Sequence, residues 1–305
     1  MKTKLIALLI ALVASCPSLA TEFELKDADK VVWLGSTLIE REQRYGYWER
    51  ALTMRWPDRN ITFRNLAWSG DNVLGEARLA FDIDKPALGL KRMVELTLAE
   101  KPTVIFICYG TNESFEGGDG LPKFKKGLEN LLDELKPAKA RVVLLSPIPF
   151  EGRGSAKNWA EKRNKELSLY RDVIRNTAES RRIGFADLYK TFGESQTESS
   201  PSLTDNGIHL TEAGYQSTQG LFLAALNVKP LSESELHIDR EKLRQAIVAK
   251  NRLYFYRWRP QNETYLFGFR KHEQGRNGKE VAEFDPLVAN AEEEIAKMRT
   301  ARKQR

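Results

Sequence analysis

The stretch VVWLGSTLIERE, residues 31–42, decides how the chain is read. An apolar run closes on Gly35, and two hydroxyl residues, Ser36 and Thr37, follow the glycine turn where a nucleophile belongs. Four further runs repeat the pattern: ITFRNLAWSG (61–70), TVIFICYG (103–110), ARVVLLSPI (140–148) and IGFADLY (183–189), each bounded by Gly, Pro or Asn. Near-continuous apolarity over such lengths suits strands covered on both faces, which means a parallel sheet.

Between the runs, 88–100 and 124–135 place apolar residues at three and four spacings, and 159–180 is a long charged segment with an apolar stripe. TEAGYQSTQGLFLAAL (211–226) predicts a last helix with Thr211 as its N-cap. Alternating strand and helix predicts a doubly wound, three-layer α/β fold. Reactive loops in such sheets lie beyond the carboxyl ends of the strands, so the residues closing each run are the ones to inspect.

At 305 residues, with 41% hydrophobic and 30% charged side chains, the chain is long enough for a sizeable core and is not a disordered protein. The first twenty residues have a basic start (Lys2, Lys4), a short apolar run and small residues at Ser18 and Ala20, so 1–20 reads as an export signal cleaved after Ala20. A competing reading takes VASC (13–16) as a lipobox with Cys16 lipidated. Either predicts a secreted or periplasmic protein, with no transmembrane span after the signal. The net charge of +6, two units of which belong to Lys2 and Lys4, demands no acidic partner. Cys108 is the second of two cysteines and reads as a buried small hydrophobe, leaving no intramolecular disulfide.

PLSESE (230–235) reads as a boundary, dividing a domain at 21–229 from an appendage at 230–305. In the appendage, NRLYFYRWRPQNETYLFGFRKHEQGRNG (251–278) interleaves aromatics with Arg and Lys, and a charged helix follows from about Leu287. Alternation in YFYRW and YLFGFR predicts two extended segments forming a hairpin, either closing a small core or acting as a lid with stacking platforms. Export argues against single-stranded nucleic acid as the partner of such a surface, and sugar rings suit it better.

Strand ends supply Gly35-Ser36-Thr37, Ser69-Gly70-Asp71 and Gly110-Thr111-Asn112-Glu113, and LTDNGIHLTEAGY (203–215) carries His209 just before the last helix. In that order these resemble the four blocks of the SGNH, or GDSL-type, hydrolases, over about residues 30–226. The resemblance implies a flavodoxin-like sheet and acyl transfer, in which a hydroxyl attacks an ester carbonyl, an imidazole takes its proton and donors bind the oxyanion. It further implies Gly70 and Asn112 as oxyanion donors and His209 as general base.

Two positions depart from the pattern. The family's Gly-Asp-Ser is here Gly35-Ser36-Thr37, so register puts Thr37 at the nucleophile position; one residue's displacement should aim Ser36 away from the donors. The family's aspartate three residues before the histidine is here Asn206, with Asp205 next door. Departure at two catalytic positions, with both donors and the histidine kept, points to a divergent mechanism or to a site that binds an oxyanion or acyl group. Glu40, Glu42 and Glu113 read as solvated carboxylates near helix starts, FEGGDGLP (115–122) as a flexible surface loop, and His237 and His272 as lesser histidines. With no zinc motif, cysteine pair or phosphate loop, no cofactor or metal is expected. The reading is an exported ester hydrolase acting on a small-molecule or glycan ester, with a noncatalytic glycan- or protein-binding module as its rival.

Overall fold

The computed structural model describes residues 23–197, 200–229 and 238–300. The leader with Cys16, the boundary at 230–235 and His237 lie outside the described residues. Strands β1 (Lys30–Gly35), β2 (Thr62–Asn65), β3 (Val104–Cys108), β4 (Arg141–Leu145) and β5 (Gly184–Ala186) form one parallel sheet in the order β2-β1-β3-β4-β5. The fold is thus the doubly wound α/β architecture, and its strand order reverses between β1 and β3. At that switch point the loops leaving neighbouring strands diverge and open a crevice.

Helices α1 (Thr37–Tyr45), α2 (Tyr47–Arg55), α3 (Ala87–Ala99), α4 (Leu121–Glu134), α5 (Lys157–Arg181), α6 (Leu188–Ser195) and α7 (Glu212–Ala225) build the outer layers. Alternate residues of β1 feed two cores, as a pleated strand requires. Val31 and Trp33 join Trp48, Phe106, Phe192, Tyr215 and Phe222 on one face. Val32 and Leu34 join Met93, Phe124, Leu128, Tyr170 and Ile174 on the other. Thr211 caps α7 as its sequence predicts, its hydroxyl accepting the Gly214 N–H at 3.0 Å. Cys108 is buried and free, and burial pushes its thiol up to about 12.

Strand β2 is shorter than its apolar run. Asn65 ends it by turning its amide onto the backbone, donating to Ile39 O at 2.7 Å and accepting from Ala67 N at 3.0 Å. The chain still follows β1, with Leu66 N donating to Trp33 O and Trp68 N to Gly35 O. This carries Trp68–Asp71 to the carboxyl end of the sheet.

The C-terminal segment departs from expectation. YFYRW lies inside helix α8 (Arg240–Trp258), followed by short helices α9 (Glu263–Leu266) and α10 (Lys271–Gln274) and by α11 (Phe284–Thr300), so there is no hairpin among the described residues. Leu243, Ile247, Lys250, Asn251 and Tyr254 are the buried positions of α8, recurring at spacings of three and four, a helical period that the local aromatic alternation masks. Helix α8 covers the β2 edge of the sheet. Lys250, 1% exposed in its side chain, donates from Nζ to Phe63 O of β2 (3.1 Å), to Glu49 Oε1 (2.8 Å) and to Asn251 Oδ1 (2.7 Å), while Asn251 Nδ2 donates to Glu49 Oε2 (2.9 Å). An edge carbonyl and two opposite charges are thereby satisfied together, which blunts the edge. Among the described residues, no helix is long and apolar enough to cross a membrane.

Candidate active site

The crevice is assembled from four turns. Thr37 opens α1, where the helix's unpaired N–H groups carry partial positive charge. Gly70 holds a left-handed backbone (φ +76°), and its N–H donates to Thr37 Oγ1 at 3.2 Å. A Cβ at Gly70 would meet nothing within 4 Å, so the backbone angle that aims the N–H, and not space, requires glycine there. Asn112 Nδ2 donates both to Ser36 Oγ (2.9 Å) and to Asp71 O (2.8 Å). The two donors singled out in the sequence therefore each face one hydroxyl. Ser36 is not aimed away from them, in contrast to the expectation from register: it is buried at the turn and holds Asn112, while the half-buried Thr37 holds Gly70.

Buried polar groups brace these donors, among them Glu40 and Glu113, which the sequence reading placed in solvent. Asp71 is fully buried, accepts from Arg78 Nε at 2.7 Å and from the Tyr109 hydroxyl at 3.2 Å, and Arg78 also donates to Leu66 O at 2.9 Å. Glu113 accepts the backbone N–H groups of Val73 (3.0 Å) and Gly110 (2.9 Å), tying the loop after β2 to the loop after β3. Burial pushes the Glu113 carboxyl up to about 7. Glu40 is buried and accepts from Ser69 N, next to Gly70. Glu42 is buried as well, accepting from Trp48 N (2.8 Å) and Glu49 N (3.1 Å) at the start of α2, and burial raises it to about 8. A carboxylate just past a turn reads as wet in sequence; these are recruited because loop N–H groups buried beside the sheet end need acceptors. FEGGDGLP likewise is not a loose loop: residues 115–120 belong to a 3-10 segment, Glu113–Gly120, whose Gly117 carbonyl accepts from the Tyr170 hydroxyl at 2.7 Å, and Leu121 and Pro122 open α4.

The histidine turn is built differently. Glu151 accepts from Ser202 Oγ, Leu203 N, Thr204 N and Thr204 Oγ1, which fixes the approach to the turn. Asp205 does not bond to the ring; its carboxylate is engaged by Arg41 Nη1 at 2.8 Å. Asn206 is the ring's partner, with Nδ2 2.9 Å from His209 Nδ1. Its orientation is set by the backbone, because Asn206 Oδ1 accepts the N–H groups of Ile208 (3.1 Å) and His209 (3.0 Å). The NH2 group must therefore donate to Nδ1, and the ring proton resides on Nε2. Partial burial, followed by the nearby Arg41 charge, lowers the His209 pKa and keeps the ring neutral. In this tautomer Nε2 offers a hydrogen and not a lone pair. No hydrogen bond among the described residues joins His209 to the hydroxyl of Ser36 or Thr37.

The C-terminal segment reaches the same crevice. Arg259 lies over the Trp68 ring, its Cζ 3.3 Å from the centroid, and its Nη1 is 3.4 Å from Glu40 Oε1. Trp258 packs edge-on against Trp68 at 5.9 Å. Neither contact is legible from local sequence, since about 190 residues separate the partners. His272 is exposed on α10 and pairs with its neighbour Glu273, away from these groups. Two clefts flank the turns. One of about 690 Å³ borders the histidine turn and is lined by Phe150, Phe192, Leu203, Thr204 and Leu210; another of about 580 Å³ borders Trp68.

A parallel sheet with two donors set on the adjacent hydroxyls of one turn at its switch point, and a histidine presented just before α7, defines the class of α/β fold used for acyl transfer. The chain belongs to the GDSL-like lipase/acylhydrolase family, whose model matches residues 33–217. Its fold is similar to that of Axe2, an acetylxylan esterase from Geobacillus stearothermophilus, at 19% identity and a TM-score of 0.53 over 69% of this chain and 100% of that one. Two catalytic mutants of Axe2 align at a TM-score of 0.54 with 19% and 20% identity over the same shares. A comparison with curated protein sequences finds no match. Helices α8 to α11 lie beyond the residues the family model matches.

Proposed function

We propose that the protein hydrolyses an ester, with an acyl group on a carbohydrate as the substrate class. One observation carries the reading: Thr37 Oγ1, at the N-terminus of α1, receives the Gly70 N–H at 3.2 Å while Asn112 reaches the same turn. Thr37 is the nucleophile, and its own N–H joins Gly70 and Asn112 as the oxyanion donors. Attack of Oγ1 on the carbonyl requires His209 to turn to its Nδ1–H tautomer, against the Asn206 amide, and to swing within reach of Thr37, so that Nε2 has a lone pair to take the hydroxyl proton. The tetrahedral oxygen gains the donors, and collapse releases the alcohol with that proton. Water then cleaves the acyl-threonine by the same route. The threonine methyl narrows the approach to the carbonyl. Asn206 opposes the required Nδ1–H tautomer, so turnover is slow. Family membership supports the acyl-transfer chemistry, and the fold's likeness to acetylxylan esterases supports the carbohydrate. Export through residues 1–20, to the periplasm or the medium, belongs to the same proposal.

A second reading, a binding module that keeps the pocket, is favoured by the Nε2–H tautomer, which suits holding an acceptor oxygen better than removing a proton. The test is hydrolysis of short-chain nitrophenyl esters and acetylated sugars by residues 21–305, beside Thr37→Ala, Ser36→Ala and His209→Ala. Loss of turnover in Thr37→Ala and His209→Ala, with Ser36→Ala retaining most of it, is expected. Full activity in Thr37→Ala would overturn the nucleophile, and no turnover by the parent protein would leave the binding module.

A further inference from the structure

The cleft of about 580 Å³ beside Trp68 is made by two distant parts of the chain: the loop around residues 78–82 with α3, and residues 258–269 of the C-terminal segment. Its rim carries three exposed aromatic rings, Phe81 (72%), Phe267 (55%) and Phe269 (69%), with Phe81 and Phe269 edge-to-face at 5.4 Å. Large apolar side chains held this far into solvent, around a concavity, mark a place where something binds. Two residues of the lining, Arg78 and Trp258, each carry a buried donor with no acceptor among the described residues, Nη1 and Nε1. Arg78 is 2% exposed and its other nitrogens are engaged by Asp71 and Leu66, so the orphan lies on an otherwise saturated guanidinium. Acidic and basic side chains, Asp82, Glu95, Glu263 and Arg92, complete the wall, and Asp82 is paired with Arg92 at 2.5 Å.

We infer that this cleft is a saccharide subsite, which seats a neutral sugar ring of the glycan whose ester is presented at Thr37. It rests on the carbohydrate reading above and deepens it. A pyranose has an apolar face of C–H groups that stacks on aromatic rings and a periphery of hydroxyls that accept and donate, and this lining offers both. A fatty acyl chain would match the rings but give nothing to hydrogen-bond with the wall of Asp82, Arg92, Glu95 and Glu263. A lipid headgroup surface fits less well, since Asp82 and Asp84 flank the exposed Ile83 at the tip of the loop. Trp68 joins the subsite to the chemistry: it lines the cleft, and two residues later the chain supplies the Gly70 N–H.

The experiment is calorimetric and tryptophan-fluorescence titration of the full chain with unacetylated xylotriose and cellotriose, so that no ester is involved. Saturable binding with a change in tryptophan emission is expected. Phe267→Ala with Phe269→Ala should weaken it by about tenfold or more, since both exposed stacking faces of that wall are removed together. Both rings are exposed, so melting temperature should hold; Leu287→Ala, an exposed residue of α11 outside the cleft, should leave binding unchanged. No saturable binding of either sugar, or binding indifferent to the double variant, overturns the subsite. Binding to phosphatidylcholine–phosphatidylglycerol vesicles that the double variant abolishes, in place of sugar binding, overturns it in favour of lipid. Turnover of nitrophenyl acetate without sugar binding removes the subsite and leaves the esterase; sugar binding without any turnover removes the esterase and leaves the subsite.

Discussion

The two sides of the crevice are built to different standards. On the donor side, Gly70 and Asn112 stand on the buried Asp71–Arg78 pair, the Tyr109 hydroxyl and the Glu113 clamp. On the histidine side, the ring rests on Asn206, an exposed residue of a turn, and the nearest carboxylate is diverted to Arg41. On the proposed reading, the groups that would bind an oxyanion are preorganised and the one that would take the proton is not. Electrostatic preorganisation commonly supplies the larger share of catalysis, so the proposal expects slow turnover limited at the histidine.

The largest expected effect comes from repairing the weak side. Asn206→Asp replaces an amide donor by an acceptor at the same 2.9 Å contact, turning the ring to the Nδ1–H tautomer and freeing Nε2. The converse change in a serine protease lowers turnover by about 10⁴. A rise in kcat of about 10²-fold or more on nitrophenyl acetate is expected; an unchanged kcat would show that the tautomer is not limiting. Damage to the strong side should come next. Gly70→Ala has room for its methyl but not for its φ, so the N–H swings off Thr37. Losing one such donor lowers kcat by about 10²-fold, measurable beside a KM that changes little.

The Glu113 clamp yields a pH signature. Its folded pKa, about 7, lies above the ordinary 4.5, so the folded state holds more protons than the unfolded one between those values. The stability that Glu113 contributes is therefore fullest below pH 4.5 and is lost as pH rises toward 7, by on the order of 1–3 kcal/mol. Glu113→Gln should flatten that slope in urea unfolding at pH 5 and pH 8. The smallest effect is expected at Arg41. Its charge helps to hold the His209 pKa down, so Arg41→Gln should move the acidic limb of the kcat/KM profile to higher pH. A limb that stays in place would remove Arg41 from the histidine's environment.

The contrast also follows what sequence could show. Runs such as TVIFICYG carry their own evidence, because a strand covered on both faces must be apolar throughout, and all five runs hold a strand. Gly70, Asn112 and His209 were legible through motif order, and the structure brings Gly70 and Asn112 onto adjacent hydroxyls of one turn. What escaped were contacts between distant segments: Glu40 under Ser69, Arg259 over Trp68, and Asp205 drawn to Arg41. The hairpin expected in YFYRW failed for the same reason, since α8 owes its buried stripe to α11, α1, α2 and β2 and not to its immediate neighbours in sequence.

The ion pair between Glu49 and Lys250 ties two parts of the chain into one folding unit. One partner lies within the residues the family model matches and the other in the helical extension beyond them. Losing either partner alone strands a buried charge, a change that typically destabilises by about 3–5 kcal/mol, a large part of a domain's stability. Truncation before α8 is therefore expected to weaken the sheet domain itself, because it would leave Glu49 without its counter-charge and the Phe63 carbonyl of β2 without its donor.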